Sequence, residues 1–233
     1  MQTRQPFGPT QMTPTTTQVI GSQYCKPSPT SLEIVRTANT FANEFRVYDH
    51  NSVFTLQSAS FSVHKRCILL HQGNPIVTLR RKVLMEEGRA GTVQILWKKS
   101  MEQGGTFENV DTGVRMTAHN RWQVFRGKSD QIRDLLFSVK RPNKGYNIFQ
   151  PNTALELEVF LAQNTEEKVC EFKIEGNWSN GSCEVCSVQH RNIIALMNKH
   201  AVQATGSDNF VVRVEANVDT AFIVALIAIL CLE

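Results

Sequence analysis

Two cysteines three residues apart, in Cys183-Glu-Val-Cys186, come closest in this chain to a recognisable reactive pair. A CxxC pair can hold zinc or work as a dithiol redox centre. Either use needs both sulfurs on one side of the chain. The surrounding residues read as a strand, on which side chains three apart face opposite ways. No second CxxC or paired histidine completes a tetrahedral set, so the two cysteines read as small packed side chains that bind no metal. The six histidines, His50, His64, His71, His119, His190 and His200, stand at spacings without metal or triad logic. GxSxG, P-loop, GxGxxG and HExxH motifs are all missing from the sequence. The residues therefore point to no enzyme, no metal and no cofactor.

Basic charge is the remaining functional material. Arg80-Arg81-Lys82 and Lys140-Arg141 with Lys144 fall at the ends of predicted strands, where their side chains could converge on one rim. Each lysine or arginine close to an anionic membrane is worth about 1 kcal/mol, so such a cluster supports weak, reversible recruitment. Ordinary solvated charge at strand ends is the simpler alternative. The formal net charge of +4 permits contact with an acidic surface. It falls well short of the dense basic stripe of a dedicated nucleic-acid binder.

The elements that would carry these residues are strands. In Val169–Glu175, Cys170, Phe172 and Ile174 alternate with Glu171, Lys173 and Glu175. In Phe210–Glu215, Phe210, Val212 and Val214 alternate with Arg213 and Glu215. Period-two alternation of this kind marks a strand with one buried face. Further strands are expected at Ile34–Ala38, Glu44–Tyr48, Val53–Gln57, Cys67–His71, Ile76–Arg80, Arg121–Arg126, Leu135–Arg141, Leu155–Leu161, Cys183–Val188 and Ile193–Met197. Turn residues such as Gln72-Gly-Asn74 and Asn180-Gly-Ser182 separate many of them.

One segment breaks the pattern. From Ala221 to Leu232 there is no polar side chain. A helix apolar on every side must be surrounded by protein or by lipid. Twelve residues span roughly 18 Å at about 1.5 Å each, whereas a bilayer core of roughly 30 Å needs about 20 residues. A buried central helix is the expectation, with Phe222, Ile223, Leu226, Ile227 and Leu230 in its core, and a membrane tail anchor is the alternative. A dozen short strands and one such helix suggest a sheet closed around it, which leaves no exposed edge.

With 41% hydrophobic and 20% charged residues, the 233-residue chain reads as one globular domain over 24–233. The Thr/Gln/Pro-rich residues 1–23 are expected to be a disordered leader. No secretory signal is visible, and six cysteines without one suggest reduced thiols in a cytoplasmic protein. The expected state is a monomer.

A longer set of motifs is specific. Tyr24-Cys-Lys-Pro27, His64-Lys-Arg66 before Cys67-Ile-Leu-Leu70, and Gly73-Asn-Pro-Ile-Val-Thr-Leu-Arg80 form one run. Arg121-Trp-Gln-Val-Phe-Arg-Gly127, Asp134-Leu-Leu-Phe-Ser-Val-Lys140, Val159-Phe-Leu-Ala162, Cys170-Glu-Phe-Lys173 and Asp219-Thr-Ala-Phe-Ile-Val-Ala-Leu226 form another. In register and in order, over about 24–82 and 117–230, they resemble the plant LURP-one-related family. The resemblance implies a tubby-like fold, a twelve-stranded barrel closed around an apolar C-terminal helix. It carries no established biochemical activity. It is linked by name to pathogen response and by fold to tubby proteins, which bind phosphoinositides through basic residues, and to phospholipid scramblases.

Two departures stand out. Residues 84–115 replace a short connection, as a functional insertion or as an unspliced or mispredicted segment, and are expected to project as a loop or loose hairpin. The family's helix generally runs on into an acidic tail, whereas here it stops at Cys231-Leu-Glu233. Two functions follow. One is a non-enzymatic binding module, peripheral at a phosphoinositide or other anionic membrane surface or bound to a protein partner, in a plant defence response. The other is a membrane-embedded, scramblase-like lipid handler using the helix.

Overall fold

Among the described residues there are fourteen strands, and twelve of them, those with period-two patterning, close into a barrel. The structure is a computed structural model that describes residues 16–38, 43–50, 52–58, 66–84, 106–109, 114–117, 119–142, 155–177, 181–200 and 207–232. The strands are β1 (Thr30–Ala38), β2 (Asn43–Asp49), β3 (Ser52–Ser58), β4 (Arg66–His71), β5 (Asn74–Leu84), β6 (Thr106–Asn109) and β7 (Val114–Thr117). They continue with β8 (His119–Arg126), β9 (Leu135–Lys140), β10 (Leu155–Leu161), β11 (Phe172–Asn177), β12 (Ser182–Ser187), β13 (Asn192–His200) and β14 (Ser207–Val214). Helix α1 (Thr220–Leu232) follows them all.

The barrel runs β1-β14-β13-β12-β11-β10-β9-β8-β5-β4-β3-β2 and returns to β1. Every pairing is antiparallel, and β1 is held on both sides, with Ile34 opposite Phe210 of β14 and Val47 of β2. Alternation sets the lining: Leu32 and Ile34 of β1, Val77 and Leu79 of β5, and Phe172 and Ile174 of β11 all face inward and are buried. The turns are tight where their chemistry allows. Gln72 and Gly73 join β4 to β5 with φ of 49° and 80°. Two successive positive φ values are what a two-residue type I′ hairpin needs, and glycine carries the second without a Cβ penalty.

All residues of α1 from Thr220 through Leu230 are buried. Phe222, Ile223, Leu226, Ile227 and Leu230 lie in one core cluster with the inward strand side chains. Phe222 packs edge-on against Phe137, ring centroids 5.1 Å apart, and against Phe172 at 5.0 Å. Burying a Leu, Ile or Phe side chain contributes about 1.5–3 kcal/mol, so this one helix contributes a large share of the fold's hydrophobic free energy. No described helix is long and apolar enough to cross a membrane.

The start of the helix is buried too, which leaves its first amides needing partners. Asp219 supplies one: its Oδ1 accepts from the Phe222 amide at 3.0 Å. Its Oδ2 accepts from the amides of Val19, Ile20 and Gly21 at 3.1, 2.7 and 2.9 Å. Of the leader expected over 1–23, residues 16–23 are therefore ordered on the barrel, and residues 1–15 lie outside the described residues. Thr17 bridges Val218, Ile20 is in the core, and Ser22–Tyr24 form a 3₁₀ turn over the barrel mouth. The local composition gave no sign of this, because the stabilising carboxylate lies some two hundred residues away.

Among the described residues, strands β6 and β7 pair with each other and with no barrel strand. They form a two-stranded ribbon of their own, which overlaps the end of the 84–115 segment and runs two residues past it. The possible strand around Val93, Ile95 and Trp97 falls outside the described residues. The barrel bypasses this segment, since β5 pairs with β8 up to Leu84 opposite His119.

Three outcomes follow. Leu226→Ala should destabilise by about 2–5 kcal/mol, a large part of a domain's usual 5–15 kcal/mol or so. Leu226→Asp should yield no soluble, cooperatively melting protein, and recovery of one would place the helix outside the barrel. Replacing residues 86–117 by a tight turn should leave the melting temperature unchanged or raised. A large fall would make the ribbon part of the fold.

Candidate functional site

Antiparallel register, rather than closeness in sequence, assembles the basic residues. On β5, β8 and β9, Lys82 lies opposite Arg121 and Arg121 opposite Lys140. One row of three cations thus crosses three neighbouring strands on the outer face, at the barrel end where α1 terminates. Arg80 belongs to the next row with Gln123 and Ser138. Its guanidinium donates to Gln123 Oε1 at 3.0 Å and lies over the Phe125 ring, 5.0 Å from the centroid.

Alternation along β5 divides the first basic triplet. Arg81 is opposite Trp122, on the inward register of Val77 and Leu79, so it does not share a face with Arg80 and Lys82. Its Nε is buried without a hydrogen-bond partner among the described residues. Lys82 is exposed and has no ion-pair partner among the described residues. Lys140 is half-buried, 4.4 Å from the Phe160 ring centroid. Arg141 is exposed just beyond β9, and Lys144 lies outside the described residues.

The sequence reading missed two members of this site, Arg121 and Glu167. Glu167 comes from the 162–171 connection between β10 and β11 and folds back over β9. Its Oε1 is ion-paired with Arg121 Nη2 and accepts from Ser138 Oγ at 3.3 Å. Its Oε2 accepts from Lys140 Nζ at 3.1 Å. Burial holds the Arg121 guanidinium below its ordinary value. Arg121 was visible as part of a motif, but only cross-strand register makes it a neighbour of Lys82 and Lys140. Nothing in Gln163-Asn-Thr-Glu-Glu-Lys168 marks Glu167 beforehand.

The candidate cysteine pair separates across its strand. Cys183 faces the core beside Val185, and burial pushes its thiol up to about 12, with the neighbouring Cys231 adding to the effect. Cys186 faces outward with Glu184, whose Oε1 is 3.7 Å from its sulfur. Burial, then the Glu184 carboxylate, pushes this thiol up to about 11. Both sulfurs are thus protonated thiols at neutral pH, the poorer nucleophilic form.

The opposite mouth, where α1 begins, carries a cleft of about 300 Å³ lined by Tyr24, Lys26, Asp49, Phe54 and His71, among others. His71 stacks on Phe54 at 4.5 Å and meets the Tyr24 ring edge-on at 5.3 Å. Lys26 Nζ donates to both oxygens of the buried Asp49 at 2.6 Å. Burial lowers the His71 pKa, Asp49 opposes this, and Lys26 adds to it. Among the described residues no cluster of histidine, cysteine and carboxylate side chains could hold a metal ion.

A family model described as LURP-one-related matches residues 30–231. The chain belongs to the LURP-one-related family. Its relatives in Arabidopsis thaliana include Protein LURP-one-related 15, 36% identical over 91% of this chain and 83% of that protein. Protein LURP1 is also 36% identical, over 91% of this chain and 87% of its own length. A crystal structure of an Arabidopsis thaliana protein, 31% identical, superposes with a TM-score of 0.58 over 91% of this chain and 96% of that one. The twelve-stranded barrel around one apolar helix is thus shared with a solved plant structure. The family names carry no enzymatic activity.

The aromatic cleft of this LURP-one-related chain gives a pH-dependent outcome. A histidine whose folded pKa lies below its unfolded value favours the neutral form, so it stabilises the fold fully only above about pH 6.5. That stability is lost as pH falls below this point. Melting temperatures measured from about pH 7 down to pH 5 should therefore fall more steeply for the parent than for His71→Phe. Parallel slopes would mean that His71 is not linked to folding.

Proposed function

We propose that this protein is a non-enzymatic binding module that meets an anionic membrane surface with the outer rim at the helix's C-terminal end. The row Lys82–Arg121–Lys140 carries this reading, because register places three cations from three strands side by side. Arg80 and Arg141 flank the row. At about 1 kcal/mol for each cation near the surface, the exposed Lys82 and Arg141 together supply roughly 2 kcal/mol. That is weaker than millimolar affinity, which corresponds to about 4 kcal/mol. Recruitment of this strength is reversible and depends on several contacts at once. A role in the plant's response to pathogens, which the family resemblance implies, forms part of the proposal.

The burial of α1 favours this reading over the scramblase-like alternative. That alternative needs the apolar face of α1 in lipid, and the strands have already covered that face. Phe222, Ile223 and Leu226 are each 0% exposed.

Flotation with vesicles of neutral lipid, of neutral lipid with phosphatidylserine, and of neutral lipid with phosphoinositide tests the proposal. Binding should appear with the anionic vesicles and be lost in Lys82→Glu with Arg141→Glu. It should also fall steeply as salt rises, because exposed charges are screened over about 8 Å at physiological ionic strength. Binding indifferent to salt, or none to any vesicle, would make a protein partner the better reading.

A further inference from the structure

Arg121, Lys140 and Ser138 form a set of donors directed at one acceptor. The guanidinium of Arg121, the ammonium of Lys140 and the hydroxyl of Ser138 all reach the carboxylate of Glu167. The Arg121 Nη2 also lies 3.3 Å from Ser138 Oγ, which makes the set continuous. Two cations and a hydroxyl on neighbouring strands are the donors that a phosphate group takes. Glu167 does not satisfy them fully. Arg121 Nε is buried without a partner among the described residues, whereas guanidinium groups commonly use two nitrogens on one anion. A carboxylate offers two oxygens and a phosphate monoester offers three, enough to reach Nε as well as the groups Glu167 already engages.

The segment that delivers Glu167 has a positive φ, as His50, Gln72, Arg191 and Asn217 do in other turns. Glu167 has φ of 49°, the left-handed region that a residue with a Cβ rarely adopts. Such conformations persist only where the surroundings hold them, and they gather at ligand clamps and switches. Here the local restraints are the ion pairs and Asn164, whose Oδ1 accepts from the Glu167 amide at 3.0 Å and whose Nδ2 donates to Val169 O at 2.8 Å and Glu171 Oε1 at 2.9 Å. Gln163, Thr165, Glu166, Lys168 and Val169 around it are exposed, so hydrogen bonds and ion pairs hold the segment until Cys170 is buried.

We propose that Arg121, Lys140 and Ser138 are a binding site for a phosphate monoester, and that Glu167 is its resident acid, displaced when phosphate binds. The site deepens the membrane reading, on which it rests where the phosphate belongs to a lipid headgroup, because Lys82 continues the same row outward to solvent. Glu167 is tethered next to the donors and so competes at high effective concentration, which keeps the site closed to single weak anions. A multiply phosphorylated headgroup, engaging Lys82 together with the cradle, overcomes that competition.

Calorimetry on the full chain tests this with inorganic phosphate and with soluble inositol trisphosphate, alongside the vesicles above. Glu167→Gln removes the competing charge, and Glu167→Gly also relieves the positive φ, so at least one of them should melt like the parent. Inositol trisphosphate should bind these variants on the order of tenfold more tightly than the parent. Adding Arg121→Gln to Glu167→Gln should abolish the gain. Tighter binding of soluble phosphates without flotation on any vesicle supports the site, assigns it to soluble phosphate and removes the membrane reading. Parent flotation that Glu167→Gln and Glu167→Gly leave unchanged, with no gain for any soluble phosphate, overturns the resident acid while the membrane reading stands. Gain that survives Arg121→Gln overturns the cradle.

Discussion

An α-helix with apolar side chains on every side cannot rest on a surface; it has to be enclosed. Much of this architecture follows from that constraint. A sandwich covers one stripe of a helix, whereas a closed sheet covers all of it, and closure also removes the open edges that invite aggregation. The pairing of β1 with β14 completes the enclosure. It also raises a second problem, since a helix that begins inside a protein has amides that water cannot reach. Asp219 resolves this with one carboxylate, taking a helix amide on Oδ1 and three amides of the 19–21 segment on Oδ2. A group that caps the helix therefore also holds the plug over the mouth.

With the interior occupied by α1, binding has to happen on the outside or at the mouths. The two mouths differ in chemistry. Where the helix begins, rings and a closed Lys26–Asp49 pair surround His71, and the local charge is balanced. Where it ends, positive charge dominates the neighbouring strands, and Glu167 reaches over from another connection to offset part of it. The barrel thus separates a neutral, aromatic end from a cationic one across the length of one short helix.

Much of the fold could be read from local pattern. Each of the twelve expected strands has a counterpart in the barrel, because Cys170-Phe172-Ile174 and its equivalents carry their facing in their spacing. Val169 shows the limit: it was placed in the strand but is 67% exposed, and β11 begins only at Phe172. The same rule divides Arg80-Arg81-Lys82, whose middle residue takes the other face. Two things were not legible. Cross-strand neighbours such as Lys82, Arg121 and Lys140 depend on register, which bulges at Val124/Phe125 on β8 and elsewhere adjust by single residues. The order at Thr17–Tyr24 depends on Asp219, at the far end of the chain, so composition alone read it as a leader.

The position of α1 after all twelve barrel strands has a consequence for how the protein is made. Chains emerge from the ribosome N-terminus first, at about 5–20 residues per second. The strands from β1 onward are therefore synthesised while both the partner that closes the sheet and the helix that fills it are still missing. Until β14 and α1 have been made, the chain can neither close its sheet nor cover its apolar lining. Such intermediates are what chaperones recognise, and contacts this distant in sequence form slowly. Shielding of the half-made form thus matters for this protein alongside the stability of the finished barrel.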